Sequence, residues 1–577
     1  MVANSEKKVC QNCKNDFIIE SEDFSFYEKI KVPAPTFCPE CRSKRRMSWR
    51  NEKTLYKRKC DLCSGDFLSI YPKETIFKIY CQQCWRSDKW SADIYAEEVD
   101  FSRPFFEQFK ELYTEVPKFS LSNLNSVKSD YCNLNIDIKN CYLVFGSGYN
   151  EDCIYSNTLF KCRNVLDSNF TSKCEYSAYL IDCDSCYDTL FSQDSQNCIN
   201  SMFLFDCHNC QNCLLSTNLR NKSFYIRNKK VDKETFKKVK ADILSSNKKL
   251  QDALLEFKEM KINTMHKYMV GKNYIHSTGN NISDSRNIKN SYFILDSENL
   301  FNCVKSVKQK DASDGFGTSL GELTYDTMNA DFCSNSKFVI NGEYIAFSSY
   351  VVDGQNNSNL FACVGLRNKS YCILNKQYTK EQYEELIPKI IRHMNDMPYI
   401  DSKGKIYKYG EFFPSELSPF CYNETIAQEY FPLTKEEALK QGYKWKDKEE
   451  RNYTIDIKTE DIPDSIKEVD ETILGKVIEC EHKGTCNEQC TEAFKIIAPE
   501  LQLYQRMNLP LPHLCPNCRH YQRLKQRNPL KLWHRTCMCE KTTHTHQGKC
   551  EVEFETSYAP ERPEIVYCEK CYQGEVY

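Results

Sequence analysis

The cysteines at the start of the chain occur as CxxC pairs, and this spacing constrains the fold more than any other feature. Four such pairs lie between residues 10 and 84: Cys10/Cys13, Cys38/Cys41, Cys60/Cys63 and Cys81/Cys84. A CxxC turn presents two thiolates to a tetrahedral zinc ion, and a closed structural site takes four ligands. Pairing of neighbours predicts two sites, one from the first two pairs and one from the last two. Interleaved pairing is compatible with the same spacing.

The redox compartment decides between zinc and disulfides in a chain with 34 cysteines. The opening sequence MVANSEKKVCQNC has no apolar run typical of a signal peptide, and no stretch resembles a membrane span of about 18 apolar residues. CxxC pairs in such a chain favour metal ligands over disulfides. We therefore expect a soluble, cytoplasmic protein that does not contact a membrane.

The C-terminal segment repeats the N-terminal one. FYEKIKVPAPTFCPECR returns as LYQRMNLPLPHLCPNCR, and Cys515 lies 25 positions after Cys490 just as Cys38 lies 25 positions after Cys13. Asn487 occupies the place of Cys10, so that Cys486 or Cys480 must substitute, and we expect Cys486. The predicted ligands are Cys486, Cys490, Cys515 and Cys518 at the third site, and Cys550, Cys568 and Cys571 with Cys537 or Cys539 at the fourth. The chain is thus predicted to hold about four structural zinc ions.

An insertion between Cys537 and Cys550 contains two histidines, His544 and His546. A histidine is an alternative to the last thiolate of the fourth site, and exposed loop histidines are the other interpretation. A knuckle, a hairpin and a CxxC pair at a helix start form the treble-clef arrangement, whereas a plain zinc ribbon also suits the second site of each module. All-cysteine sites are closed to water, so the metal is expected to be structural.

Basic segments follow the second CxxC pair of each module. Nine Lys or Arg and one acid lie between residues 42 and 59, and six Lys or Arg and no acid lie between residues 519 and 535. Basic residues with interleaved aromatics suit contact with RNA or a ribonucleoprotein. The arginines expected to make this contact are Arg42, Arg45, Arg46, Arg50, Arg519, Arg523 and Arg527. The alternatives are a solvated helix face and pairing with the chain's own acids, since the net charge is -2.

The middle of the chain changes to short runs of Cys, Asn, Ser, Asp and aromatic residues. Cysteines recur 21 residues apart, as at Cys132, Cys153 and Cys174, and the pattern predicts a parallel β-solenoid (β-helix). The block is duplicated, because LRNKSFYIRNKKVDKETF at 219 returns as LRNKSYCILNKQYTKEQY at 366. Each half is expected to end in a helix, at about 233–260 and 380–394. Most cysteines of this region are expected to be small packing residues.

A solenoid face can also carry paired carboxylates that cleave sugars. The candidates here are Asp167, Asp182, Asp184, Asp188 and Asp206. They recur where turns recur, and turn chemistry explains them more simply. A β-solenoid carbohydrate-active hydrolase therefore stays an alternative to a protein without catalytic residues.

The motifs RNEKTLYKRKCDLC, DFSRPFFEQFKEL, EFFPSELSPFCYNETIAQEYFPL and ETSYAPERPEIVYCEKCYQGEV, with the CPECR segment, resemble a family of large zinc-ribbon proteins. That family is encoded by candidate phyla radiation (patescibacterial) bacteria, and the resemblance spans nearly the whole chain. It implies a bacterial, cytoplasmic protein. It implies no activity and carries over no catalytic residues.

Together these features predict a mainly β chain, a duplicated solenoid flanked by zinc-ribbon or treble-clef modules with a few helices. The expected divisions are a double zinc module (1–100), a helical linker (101–128), two half-solenoids each with a helix (129–265 and 266–398), a packing segment with an acidic linker (399–472) and a second double zinc module (473–577). The predicted function is a non-enzymatic zinc-binding scaffold. RNA, a ribonucleoprotein or other proteins are the candidate partners, and no small-molecule substrate is indicated. A protein-assembly platform that uses the solenoid face is a further alternative.

Overall fold

A computed structural model describes residues 5–449, 451–542, 544 and 546–577. Strands make up 34% of it and helices 24%, which confirms a mainly β fold. The chain divides into two compact units, each assembled from segments that are distant in sequence. Unit 1 contains residues 5–121, Met269–Asp447 and Leu530–Leu532, and unit 2 contains Ser122–Tyr268, Lys448–Pro529 and Trp533–Tyr577.

Short hairpins and helices form the N-terminal segment: β1 (Glu6–Val9), β2 (Asp16–Ile19), α1 (Ser21–Ile30), α2 (Pro39–Met47), β3 (Tyr56–Lys59), β4 (Asp66–Ser69), β5 (Ile79–Tyr80), α3 (Gln82–Trp85), α4 (Phe105–Glu115) and β6 (Lys118–Phe119). A long series of parallel strands follows, which we call the first ladder: β7 (Asn123–Val127), β8 (Asn135–Lys139), β9 (Gly148–Glu151), β10 (Asn157–Phe160), β11 (Arg163–Leu166), β12 (Asn169–Ser172), β13 (Glu175–Ala178), β14 (Tyr187–Leu190), β15 (Ile199–Phe205), β16 (Gln211–Thr217) and β17 (Ser223–Ile226). It ends in β18 (Lys229–Lys230), α5 (Lys233–Ile243), α6 (Asn247–Asn263) and β19 (Met265–Lys267).

A second parallel series, the second ladder, lies in unit 1: β20 (Gly271–Ile275), β21 (Gly279–Lys289), β22 (Ser291–Leu295), β23 (Glu298–Phe301), β24 (Val304–Val307), β25 (Lys310–Ser319), β26 (Glu322–Asp331), β27 (Ser334–Ala346), β28 (Ser349–Val352), β29 (Gln355–Val364) and β30 (Ser370–Ile373). It is followed by β31 (Lys376–Gln377), α7 (Lys380–Asp396), β32 (Tyr399–Ile400), β33 (Ile406–Tyr407), α8 (Ile426–Tyr430) and α9 (Lys435–Lys440). The C-terminal segment contains β34 (Ile478–Glu479), β35 (Ala493–Phe494), α10 (Ala498–Met507), α11 (Pro516–Lys525), β36 (Trp533–Thr536), β37 (Glu553–Thr556), β38 (Ile565–Tyr567) and α12 (Glu569–Val576).

Both ladders return the chain to the same lateral position every twelve residues. Asn157 pairs in parallel with Asn169 in the first ladder, and Tyr292 pairs in parallel with Val304 in the second. In the second ladder, β21, β22, β24, β25 and β23 close a ring of five parallel strands. A positive φ recurs at every third residue through most of both ladders. Asn and Asp tolerate this left-handed region better than other L-residues, which explains why they are frequent here.

One residue in every three points into the ladder. From residue 153 to residue 165, each inward side chain is at most 2% exposed. The inward N–H is donated to the inward side chain twelve residues earlier: Ser168 N–H reaches Ser156 Oγ at 3.0 Å, and Cys186 N–H reaches Cys174 Sγ at 3.2 Å. Because a buried N–H without a partner costs free energy, these positions favour small residues that accept a hydrogen bond, such as Ser and Cys.

This arrangement predicts unequal effects for two substitutions of Ser156, whose side chain is fully buried. Ser156→Ala leaves the N–H of Ser168 without its acceptor and is expected to cost about 1–3 kcal/mol of unfolding free energy. Ser156→Cys keeps an acceptor of the kind that Cys174 provides, so it should cost less. Denaturant unfolding of the two variants measures the difference, and an alanine variant as stable as the native chain would contradict the assignment.

The expected period of 21 residues is wrong, because the register advances by twelve. Spacings of 21 and 24 between cysteines are both multiples of three, the interval between inward positions. The cysteines also follow one another at the true interval of twelve, in a column of inward residues that are all buried: Cys162, Cys174, Cys186, Cys198 and Cys210. Their burial agrees with the expectation that they are packing residues.

The helices that follow the ladders match the expectation in part. The single helix expected at about 233–260 is two helices, because Ser246 caps a new helix by accepting the N–H of Lys249. Asp232 caps α5 by accepting the N–H of Thr235. Thr379 and Gln382 form a capping box at the start of α7.

Candidate metal centres

Four groups of four cysteines converge within the described residues, and in each group the sulfur atoms lie within 4.8 Å of one another. The groups are Cys10/Cys13/Cys38/Cys41, Cys60/Cys63/Cys81/Cys84, Cys480/Cys490/Cys515/Cys518 and Cys537/Cys550/Cys568/Cys571. A Zn–S bond of about 2.3 Å places the thiolates of a tetrahedron about 3.8 Å apart. The Sγ atoms of Cys13 and Cys38 are 3.8 Å apart, and those of Cys550 and Cys568 are 4.0 Å apart. The groups therefore fit about four tetrahedral zinc ions.

The third cysteine of every group caps a helix, and the fourth lies in the first turn of that helix. The capping cysteines have φ between −64° and −62° and ψ between 160° and 165°: Cys38, Cys81, Cys515 and Cys568. In every group, the N–H of this residue donates to Sγ of the first cysteine at 3.2 or 3.3 Å. Burial raises the pKa of Cys60, but such donors, from Cys81, Cys63 and Leu62, outweigh it and lower the pKa to about 7. Donors aimed at sulfur stabilise the thiolate that binds zinc.

The third group differs from the expected set by one residue. Cys480 joins Cys490, Cys515 and Cys518, and it accepts the N–H of Cys515 as Cys10 accepts that of Cys38. Cys480 follows the first strand of its hairpin, the position that Cys10 has after β1. Cys486, the expected ligand, has its Sγ 3.7 Å from Sγ of Cys518, so it also reaches the site.

The fourth group resolves the choice between two cysteines. Cys537 joins Cys550, Cys568 and Cys571, and it accepts the N–H of Cys568 at 3.2 Å. Cys539 instead lies 3.2 Å from Nδ1 of His544. A second cluster of four donors thus borders the first and shares one residue with it: Cys539, His544, His546 and Cys571.

Strand β19 supports this region from the other side, because it pairs in parallel with β38, the strand that precedes Cys568. His266 in β19 is buried, with Nδ1 3.0 Å from the hydroxyl of Tyr558 and Nε2 2.7 Å from the carbonyl oxygen of Lys261. Burial lowers the pKa of His266 to about 4. A neutral ring with one donor and one acceptor fits both contacts, so this histidine is a structural residue.

The arginines of α2 lie inside unit 1. Arg45 and Arg46 are at most 1% exposed. Nη1 of Arg46 lies 2.5 Å from Oδ1 of Asp326, and Nη1 of Arg45 lies 2.9 Å from Oε2 of Glu411. The helix that starts in a cysteine group is thus joined to the second ladder by charged groups removed from water.

The first arginine after each CPxCR segment makes the same contact in both units. Nη2 of Arg42 lies 2.9 Å from Oδ2 of Asp314, and Nε of Arg519 lies 3.3 Å from Oδ2 of Asp167. Asp167 and Asp314 are 147 residues apart, which is also the interval between the two LRNKS segments. The N-terminal module packs on the second ladder as the C-terminal module packs on the first.

The equivalence continues eight residues further along each chain segment, just beyond the ends of α2 and α11. Arg50 donates to Asn329 at 3.1 Å, and Nε of Arg527 lies 3.4 Å from Oδ2 of Asp182, again with partners 147 residues apart.

All seven arginines expected to contact nucleic acid have side chains at most 9% exposed: Arg42, Arg45, Arg46, Arg50, Arg519, Arg523 and Arg527. Their placement does not support nucleic-acid binding, because a guanidinium must reach solvent to bind phosphate. Their contacts agree with the alternative interpretation, in which they pair with acidic residues of the same chain.

The carboxylates considered for sugar hydrolysis each have a partner. Asp167 and Asp182 bind the arginines just described, and Asp206 lies 2.8 Å from Arg220. Asp188 lies 3.3 Å from Nζ of Lys240, and Asp184 accepts a hydrogen bond from Ser172. These contacts give the five aspartates structural roles. They do not favour two of these carboxylates acting together in acid–base catalysis.

Within the part of the chain that the structure describes, no helix combines the length and the apolar character needed to cross a bilayer. In comparisons with known proteins, neither a family model nor a curated protein matches the sequence.

Proposed function

We propose that the chain is a non-enzymatic zinc-binding scaffold, with the two ladders as duplicated β-solenoid halves and each module held by two zinc ions. The observation that carries the proposal is the repeated link from cysteine group to ladder. In both units, a helix that begins at a cysteine group buries its arginines against ladder carboxylates. Zinc fixes the start of that helix, and the ion pairs fix its face.

The chemistry of the donor set supports a structural role for the metal. Four thiolates fill the coordination sphere of each ion, which leaves no position for water or a substrate. A module of this size has little apolar core of its own, so the free energy of metal binding becomes free energy of folding. The scaffold thereby gains rigid modules at positions where short hairpins alone would be marginal.

Metal analysis of the full-length chain, purified without chelators, tests this proposal. Native protein is expected to contain at least four zinc ions per chain. Cys60→Ser should lower the zinc content by one ion, because it removes one of the four thiolates of the second group. A native content below four would contradict the proposal.

A protein-assembly platform is a second candidate, and an exposed apolar stripe on the second ladder favours it. Leu320, Phe332 and Tyr344 follow one another at intervals of twelve and are 44%, 40% and 49% exposed. The rings of Phe332 and Tyr344 stack with centroids 4.5 Å apart, and Phe347, three residues after Tyr344, is 60% exposed. Contiguous exposed apolar residues are typical of protein-binding surfaces.

A further inference from the structure

We propose that the C-terminal cysteine group holds two zinc ions joined by the thiolate of Cys571. Cys537, Cys550, Cys568 and Cys571 bind the first ion, and Cys539, His544, His546 and Cys571 bind the second. This inference rests on the proposed zinc-binding function and adds one ion to it. The chain then carries five zinc ions, and one module differs in kind from its N-terminal counterpart.

The distances between the donors suit a second tetrahedral ion. Zn–S of about 2.3 Å and Zn–N of about 2.0–2.1 Å put a sulfur and a nitrogen of one tetrahedron about 3.6 Å apart. Sγ of Cys539 lies 3.2 Å from Nδ1 of His544, and Sγ of Cys571 lies 3.4 Å from Nε2 of His546. Cys571 has donors of both clusters within 4.8 Å, as a bridging thiolate requires.

The hydrogen bonds on the far side of each imidazole leave the required nitrogen free to bind metal. Nε2 of His544 lies 2.9 Å from Oε1 of Glu575, so this nitrogen carries the proton and Nδ1 faces Cys539. Nδ1 of His546 lies 2.8 Å from the carbonyl oxygen of Gly548, so Nε2 faces Cys571. Metal-bound histidines almost always donate their other N–H to a carboxylate or a carbonyl, and both arrangements occur here.

The surroundings of His544 provide room for its ring. A Cβ added at Gly574 in α12 would lie 3.2 Å from Nε2 of His544 and 3.4 Å from its Cδ2. Glycine inside a helix costs about 1 kcal/mol relative to alanine, so its use here needs a local reason. The ring of His544 over Gly574 supplies that reason.

Comparison of the two modules locates the origin of the additional donors. Two residues lie between Cys60 and Cys63 of the N-terminal module. Twelve residues lie between Cys537 and Cys550, the equivalent cysteines of the C-terminal module. The inserted segment supplies Cys539, His544 and His546. The second ion also reduces the accumulated negative charge, because it adds two positive charges for one further thiolate and two neutral imidazoles.

Zinc analysis of the full-length chain with two sets of variants tests the inference. Native protein should contain five zinc ions, and the double variant His544→Asn/His546→Asn should contain four. His534→Asn is the matched control, because His534 is an exposed histidine of β36 that pairs with Glu555, and it should leave five. In protein loaded with ¹¹³Cd, two resonances should be split by coupling through the shared sulfur, and the double variant should lose the splitting.

Glu575→Gln provides a test that does not remove a ligand. Loss of the carboxylate behind His544 should weaken one ion by roughly 10–100-fold in competition with a chelator, while the other ions keep their affinities. Four ions in both the native chain and the double variant would overturn the inference and leave the proposed function intact. Four in the native chain and three in the double variant would also overturn it, since the histidines would then belong to the fourth site. Fewer than four in the native chain would overturn the proposed function itself.

Discussion

Asp167→Asn is expected to destabilise unit 2 by about 3–5 kcal/mol, the usual result of removing one partner of a buried ion pair. Asp167 is fully buried, and its carboxylate lies 2.7 Å from Nη1 of Arg523 and 3.3 Å from Nε of Arg519. Without the carboxylate, the two buried guanidinium groups lose the negative charge that offsets the free-energy cost of removing them from water. Asp314→Asn should have a similar effect in unit 1, because Asp314 holds the equivalent place beside Arg42.

The control for Asp167→Asn is a charged pair on the exterior of the same ladder. Nζ of Lys139 lies 2.7 Å from Oε1 of Glu151, and both side chains reach solvent. Exposed pairs contribute little because water and salt screen them, so Glu151→Gln should leave the unfolding transition nearly unchanged. Denaturant unfolding followed by circular dichroism compares the variants. Equal effects of the two substitutions would mean that the arginine cluster does not anchor the module.

Removal of zinc is expected to unfold the cysteine modules while the ladders keep their hydrogen bonds. Structural zinc stabilises small modules by about 10–16 kcal/mol, more than a short hairpin and one helix can replace. The ladder N–H groups, by contrast, bond to carbonyl oxygens and inward side chains within the ladder itself. Hydrogen exchange read by mass spectrometry should show fast exchange in α2 and α11 after chelation, and slow exchange in the ladder strands.

Two cysteines of unit 1 offer a matched pair for this prediction. Cys41 belongs to a metal group, whereas Cys303 is an inward ladder residue that accepts the N–H of Gly315. Cys41→Ser should release one zinc ion and remove the exchange protection of α2. Cys303→Ser keeps a hydrogen-bond acceptor at a position type where serine is common, so it should cost about 1 kcal/mol and no zinc. Similar losses from both variants would contradict the separate roles of these cysteines.

The metal groups could be predicted from sequence because their ligands carry a local spacing. Cysteines two residues apart, repeated at matching intervals, leave few arrangements, and three of the four ligands in the third group follow from the duplication alone. The insertion between Cys480 and Cys490 hides the remaining ligand. What identifies Cys480 is structural: a strand ends directly before it, as β1 ends directly before Cys10.

The positions of the arginines could not be predicted, because their partners are determined by tertiary structure. Arg42 and Asp314 are 272 residues apart, and no local pattern in either segment identifies the other. A basic helix face has the same sequence whether it meets solvent, RNA or a carboxylate. The ladder period differs from the predicted one for a related reason. Every third position is inward, so cysteines at any multiple of three produce an apparent repeat.

The three-residue spacing of inward side chains also limits how this chain can change in length during evolution. An insertion of twelve residues adds one full turn and preserves every column of stacked side chains. An insertion of three moves all later columns by one position but keeps the inward residues inward, whereas one or two residues would turn the polar exterior into the core. The two ladders obey this limit: the offset between matching segments is 150 residues at Asp137 and Asn287, and 147 at the LRNKS segments, a difference of three. Length variation in such proteins should therefore occur in multiples of three within the ladders, and freely only in the cysteine modules.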